Sequence, residues 1–92
     1  MKGFPMEVGR AVLSKAGRDA GRRFVVLRTE GPYGFLADGE THKAGKPKKK
    51  KQMHLRPLPE FYPDIAEMIA AGGMPTDAQL RKHLAELPQR ED

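Results

Sequence analysis

Apolar and polar positions alternate along Val8 to Ser14. The alternation places Val8, Arg10, Val12 and Ser14 on one face of a strand and Gly9, Ala11 and Leu13 on the other. Arg23 to Arg28 reads as a second strand, with Phe24 to Leu27 apolar on both faces, as in the middle of a small barrel. The turn signal Glu30–Gly31–Pro32 separates it from a third strand, Tyr33 to Ala37. Asp38–Gly39 is a tight-hairpin signal, which predicts a polar return strand over Glu40 to Ala44 at a sheet edge. Gly45 to Lys51 holds nothing that packs a core and reads as a mobile, solvated loop; Met53 to Arg56 is a short last strand ended by Pro57. Five short strands in about 50 residues, with no helical period between them, predict a mainly β fold, a small and strongly bent antiparallel barrel.

The period changes after Pro59. Phe61, Ile65, Met68 and Ile69 form one helical stripe, with Pro63 suited to the first turn and Gly72 to the residue after the end. Thr76–Asp77–Ala78–Gln79 is a capping box opening a second helix, whose buried stripe is Leu80, Leu84 and Leu87 and whose stop is Pro88. The expected organisation is a disordered stretch over residues 1–5, a barrel over 6–58 and a C-terminal α-helical hairpin over 59–92 that packs on the barrel or on a partner. Met6 is a second candidate start, because Met1 to Pro5 carries no pattern.

Charge divides the chain at the same place. Residues 1–57 hold 14 Lys/Arg against 5 Asp/Glu, and residues 58–92 hold 3 against 7. A basic first part is attracted to phosphate polymers, whose condensed counterions are released on binding. There is no cysteine, so disulfides and thiolate metal sites are excluded, which fits a cytoplasmic location. No run of about 18 apolar residues offers a membrane span, and the first residues lack the apolar segment of a signal peptide.

The candidate chemistry lies between the first two strands. Ser14 to Arg23 offers one hydroxyl, two glycines, Gly17 and Gly21, suited to positive φ or to close approach of a ligand, and four cations, Lys15, Arg18, Arg22 and Arg23. Such fixed donors suit a structured RNA backbone. Lys46, Lys48, Lys49, Lys50 and Lys51 around Pro47 form a second positive segment, extended by Lys43, His54 and Arg56. Tyr33, beside a turn, is a candidate for stacking on bases, whereas Phe24 and Phe35 fit the core better. No nucleophile has an evident base: Ser14 lacks a GxSxG context, and no GKS/T follows the glycines near Arg18. His42, His54 and His83 have no zinc-like spacing. The expectation is a protein that is not an enzyme and holds no metal or cofactor.

The stretch VGRAVLSKAGRDAGRRFVVL, Val8 to Leu27, resembles the KOW motif, an apolar strand, a glycine-containing basic loop and a second apolar strand. The match continues through Asp38–Gly39 and the KPKKKKQMHLRPL segment. It is similar, over roughly residues 6 to 58, to the bacterial KOW-domain RNA-binding proteins that are themselves similar to a large-subunit ribosomal protein of archaea and eukaryotes. TDAQLRKHL looks like the C-terminal part of those chains. The resemblance implies an SH3-like five-stranded barrel that binds ribosomal or other structured RNA, with Lys15, Gly17, Arg18, Gly21 and Arg22 as the motif loop. Other KOW proteins bind protein, notably transcription elongation factors, so the fold leaves the partner open. A competing expectation is an adaptor of the transcription or translation machinery that uses the barrel and the acidic hairpin of residues 60–87 to hold ribosomal or transcription proteins. A DNA-binding role has the charge but no recognition-helix pattern. The free protein is expected to be a monomer.

Overall fold

The computed structural model describes residues 3–88 of the 92. The chain forms β1 (Arg10–Ser14), β2 (Arg23–Glu30), β3 (Tyr33–Ala37), β4 (Lys48–Lys51), a 3-10 turn (Gln52–His54), β5 (Leu55–Phe61), α1 (Pro63–Ala70) and α2 (Asp77–Ala85). The strands make one antiparallel sheet in the order β4-β3-β2-β1-β5. The two outermost strands, β4 and β5, are therefore consecutive in the chain and joined by three residues. A link that short brings the ends of the two outermost strands together, so the sheet is strongly bent.

Both faces of the central strands are buried, for different reasons. On one face Val12, Phe24, Val26, Leu36 and Leu55 pack together inside the bend. On the other, Ala11, Val25, Leu27, Ala37 and Leu58 meet Ile65 of α1 and Leu80, Leu84 and Leu87 of the α2 region. The unbroken apolar run Phe24–Leu27 is thus shared between two cores, since successive side chains on a strand point to opposite faces. The helical leucines face the sheet, so the hairpin's apolar stripe is spent on this chain's own core. The capping box forms as expected: Thr76 Oγ1 accepts from Gln79 N–H at 3.0 Å, and the Gln79 side chain returns to Thr76 N–H. Pro63 occupies the first turn of α1. Asp64 links the helices by accepting from Gln79 and lying 2.8 Å from His83 Nε2. The His83 hydrogen bond holds the Asp64 carboxyl below its ordinary value, against the smaller upward push of burial.

Several expectations need correction. Glu40 to Ala44 is not a strand. The Asp38 carboxylate accepts from the N–H groups of Glu40 and His42 and from the Thr41 hydroxyl, which takes up donors that a ladder would need. Gly39 (φ +77°) lies so close to α2 that a Cβ there would run into the Asp77 carbonyl. Asp77 Oδ1 also accepts from Ala44 N–H at 2.7 Å. The segment after Asp38 is therefore a side-chain-bonded loop pinned to α2. Gly45 to Lys51 is not a mobile loop: Lys48–Lys51 is β4, paired with Leu36 to Tyr33 of β3. Met53 and His54 belong to the 3-10 turn, and the last strand runs on through Pro57 and Pro59 to Phe61. An edge strand tolerates proline because its outer side needs no donors. Phe61 consequently leaves the α1 stripe and lies against Arg10, 5.3 Å from guanidinium carbon to ring centroid. The stretch 1–5 falls partly outside the described residues; Pro5 is tied down, its carbonyl accepting from Arg10 Nε. Residues 89–92 of the hairpin segment also lie outside them.

Arg10 is the buried cation of the fold. It points to the same face as Val12, donates to the carbonyls of Pro5, Leu58 and Pro59, and pairs with Glu7. A buried guanidinium survives only with such a set of acceptors. Among the described residues no helix is long and apolar enough to cross a membrane.

Candidate nucleic-acid interface

The loop between β1 and β2 is a fixed structure. Gly21 N–H donates to Ser14 O, Ser14 N–H to Arg22 O, and Arg22 N–H to Asp19 O, so the loop folds back on its own stem. Gly17 and Gly21 both take positive φ, +81° and +88°, as their type predicts. Lys15 N–H donates to His54 O, tying the loop to the 3-10 turn.

Asp19 holds this arrangement. It is the only acidic residue between Ser14 and Arg28, and it is buried, with 7% of its surface exposed. Its Oδ1 accepts from the Ser14 hydroxyl at 2.7 Å and from Lys50 Nζ at 2.9 Å. Lys50 also donates to Ala16 O at 2.8 Å. Lys48 Nζ lies 3.8 Å from Asp19 Oδ2, an oxygen with no hydrogen-bond partner among the described residues. Burial pushes the Asp19 carboxyl up. The hydrogen bonds from Ser14 and Lys50 and the charges of Lys50 and Lys48 outweigh it, and the group is held below its ordinary value. Asp38 is held low in the same way, burial being outweighed by the donors of His42, Thr41 and Glu40.

The lysine run is therefore divided by strand alternation. Lys48 and Lys50 turn toward Asp19, and the Lys50 side chain is 11% exposed. Lys49 and Lys51 turn the other way and are exposed, Lys49 Nζ sitting 4.4 Å from the centre of the half-buried Tyr33 ring. Apart from Lys49, Lys51 and Tyr33, the predicted site residues fall into four places. Ser14, Lys15, Gly17, Arg18, Lys48, Lys50 and His54 gather around Asp19, with Lys15 and Arg18 exposed and in no ion pair with a described residue. Gly21, Arg22 and Arg23 instead line a cleft of about 430 Å³ with Asp38, Glu40 and Arg81 of α2. There Arg22 lies 3.9 Å from Asp38, Arg23 donates to Pro88 O, and Arg81 donates to Gly39 O. Lys43 and Lys46 sit exposed on the loop after Asp38. Arg56 lies on β5, opposite Leu13.

Phe24 is fully buried, as expected, whereas Phe35 is only half-buried, with the Arg28 guanidinium 4.1 Å from its ring centre. Sequence reasoning missed Asp19 and Arg81. The signal for Asp19 was present, a lone acid inside a basic loop. Arg81 had no signal, because only the fold brings α2 to the loop. Chemically, the surface around Asp19 offers cations held on a rigid base, suited to anionic oxygens at fixed spacing. No model of a known protein family and no curated protein matches the chain.

Proposed function

We propose that this chain is a non-catalytic RNA-binding protein of the translation machinery, acting in the cytoplasm and monomeric when free. Its bent sheet is read as an SH3-like barrel of the KOW type. Its ligand is structured RNA, ribosomal RNA foremost, contacted through phosphates by the loop of residues 15–22 and by the β4 lysines. The observation that carries this reading is the anchored loop. Asp19, Ser14 and Lys50 fix the backbone, and Lys15 and Arg18 stand exposed on it. A loop backbone already fixed needs no further ordering when its cations meet a phosphate backbone of matching shape, and such shape matching is how folded RNA is read.

The test is equilibrium binding to a large-subunit ribosomal RNA fragment across a salt series, with duplex DNA as competitor. Affinity should fall steeply with salt, each phosphate contact adding roughly 0.7–0.9 to the log–log slope. Binding that is indifferent to salt, or stronger to the DNA, would overturn the proposal. Co-sedimentation with large ribosomal subunits, released at high salt, is the corresponding result in extracts.

A further inference from the structure

The side of β4 away from Asp19 has a different character. Cross-strand partners share a face, and the register sets Arg28, Phe35 and Lys49 in one row across β2, β3 and β4. Tyr33 and Lys51 stand in a second row two residues along β3. A guanidinium lies over the Phe35 ring and an ammonium over the Tyr33 ring. The two aromatic positions are about 7 Å apart along the strand. Phe35 also opens onto a groove of about 580 Å³ whose walls include Leu27, Ile69 and Met74 and whose charged lining residues are Arg28 and Lys46. No acidic residue among the described residues lines it, and Met74 is 54% exposed at its side.

The geometry points to a second binding surface on this face: Phe35 and Tyr33, with Arg28, Lys46 and Lys49, receive unpaired nucleotides of an RNA strand. The inference rests on the RNA-binding reading and extends it from paired to unpaired RNA. Three features favour this occupant. Aromatic rings and guanidinium planes are platforms on which bases stack, whatever the base. The apolar groove beside Phe35 suits the body of a base, and the cations at its rim suit the phosphates on either side of it. The spacing of the two rings leaves each base its own platform, as in a splayed strand. Because alternate lysines of β4 face opposite ways, one strand would serve the folded region through Lys48 and its unpaired neighbour through Lys49 and Lys51.

The full chain, with ¹³C-labelled methionine methyl groups, is titrated separately with hexaadenylate and with a blunt-ended RNA hairpin. The Met74 methyl should move upfield with hexaadenylate, under the ring current of a base, and stay in place with the hairpin. Phe35→Leu keeps an apolar side chain, and Met74→Glu alters an exposed one. Each should weaken hexaadenylate binding about 5-fold or more and leave hairpin affinity unchanged. Their circular dichroism should match that of the parent chain. If the hairpin binds but hexaadenylate leaves Met74 unmoved, or neither variant weakens it, the second surface is refuted while the loop proposal stands. If neither RNA binds, both fail. If a Glu/Leu heptapeptide shifts Met74 where hexaadenylate does not, the groove is a protein-docking site and the inference is wrong.

Discussion

At the scale of single residues, Asp19 shows how a basic loop can be made rigid by its one acid. Removing the carboxylate in Asp19→Ala takes away the Ser14 and Lys50 hydrogen bonds and leaves an ammonium half-enclosed. The expected loss is about 2–3 kcal/mol, read as a lower midpoint in urea unfolding followed by circular dichroism. Asp19, Asp38 and Asp64 are all held below the ordinary aspartate value of 3.8. A depressed carboxyl contributes stability that is present above its unfolded pKa and lost as pH falls through its folded one. Acid unfolding should therefore set in below about pH 4. Lys50→Met withdraws the donor and the charge that hold Asp19 down, so its carboxyl titrates higher. The acid midpoint should move to higher pH, and an unchanged midpoint would show that the pair contributes nothing.

Among elements, β4 separates lysines bonded into the fold from exposed ones within four identical residues. Lys50→Ala should lower the urea midpoint, because its ammonium is bonded to Asp19 and Ala16. Lys51→Ala should leave the midpoint alone and reduce the log–log salt slope for RNA by roughly 0.7–0.9. A uniform electrostatic arm would instead give both variants the same slope change and no change in stability. The start of α2 offers a second contrast. Thr76→Ala removes a cap at a cost of about 1 kcal/mol. Gly39→Ala puts a methyl group into the Asp77 carbonyl at positive φ and should cost several times as much, about 3 kcal/mol or more. The same elements show what the sequence could reveal. The boundaries of β3, the capping box and the Leu80–Leu84–Leu87 stripe follow local rules of period and capping, and were legible. The β4 strand was not, because lysine has little strand preference of its own; its pairing is fixed from outside, by β3 and by Asp19. The return strand failed because Asp38 bonds its neighbours' backbone more readily than a hairpin would. At the site, the loop cations were legible as charge, but their division among separate patches is a product of tertiary structure.

For the molecule as a whole, the helices are half of one core. Ala11, Val25, Leu27, Ala37 and Leu58 share their core with Ile65, Leu80, Leu84 and Leu87, the largest buried apolar side chains that cover that face. A chain ending at Phe61 should therefore be insoluble or unfolded on expression, whereas a detachable hairpin would leave a folded, RNA-binding sheet. A bent sheet whose two outermost strands each have one ladder partner among the described residues carries a further hazard, since each could accept a strand from another copy. Both are guarded. The β4 edge carries four lysines, which repel an identical edge. On β5 the Lys15 N–H to His54 O bond fixes which way donors point. The two-residue period then turns the Pro57 nitrogen to the outer side, where it has no hydrogen to give, and Pro59 removes another donor. The lysines proposed to draw RNA toward one edge would thus also keep copies of the protein from polymerising. Replacing Lys49 and Lys51 with Thr and Pro57 with Val should produce slow, concentration-dependent fibril formation, visible by thioflavin fluorescence. Were RNA to bind over the β4 lysines as proposed, it would mask their charge, and the β5 prolines would then be the remaining guard wherever many copies crowded along one RNA.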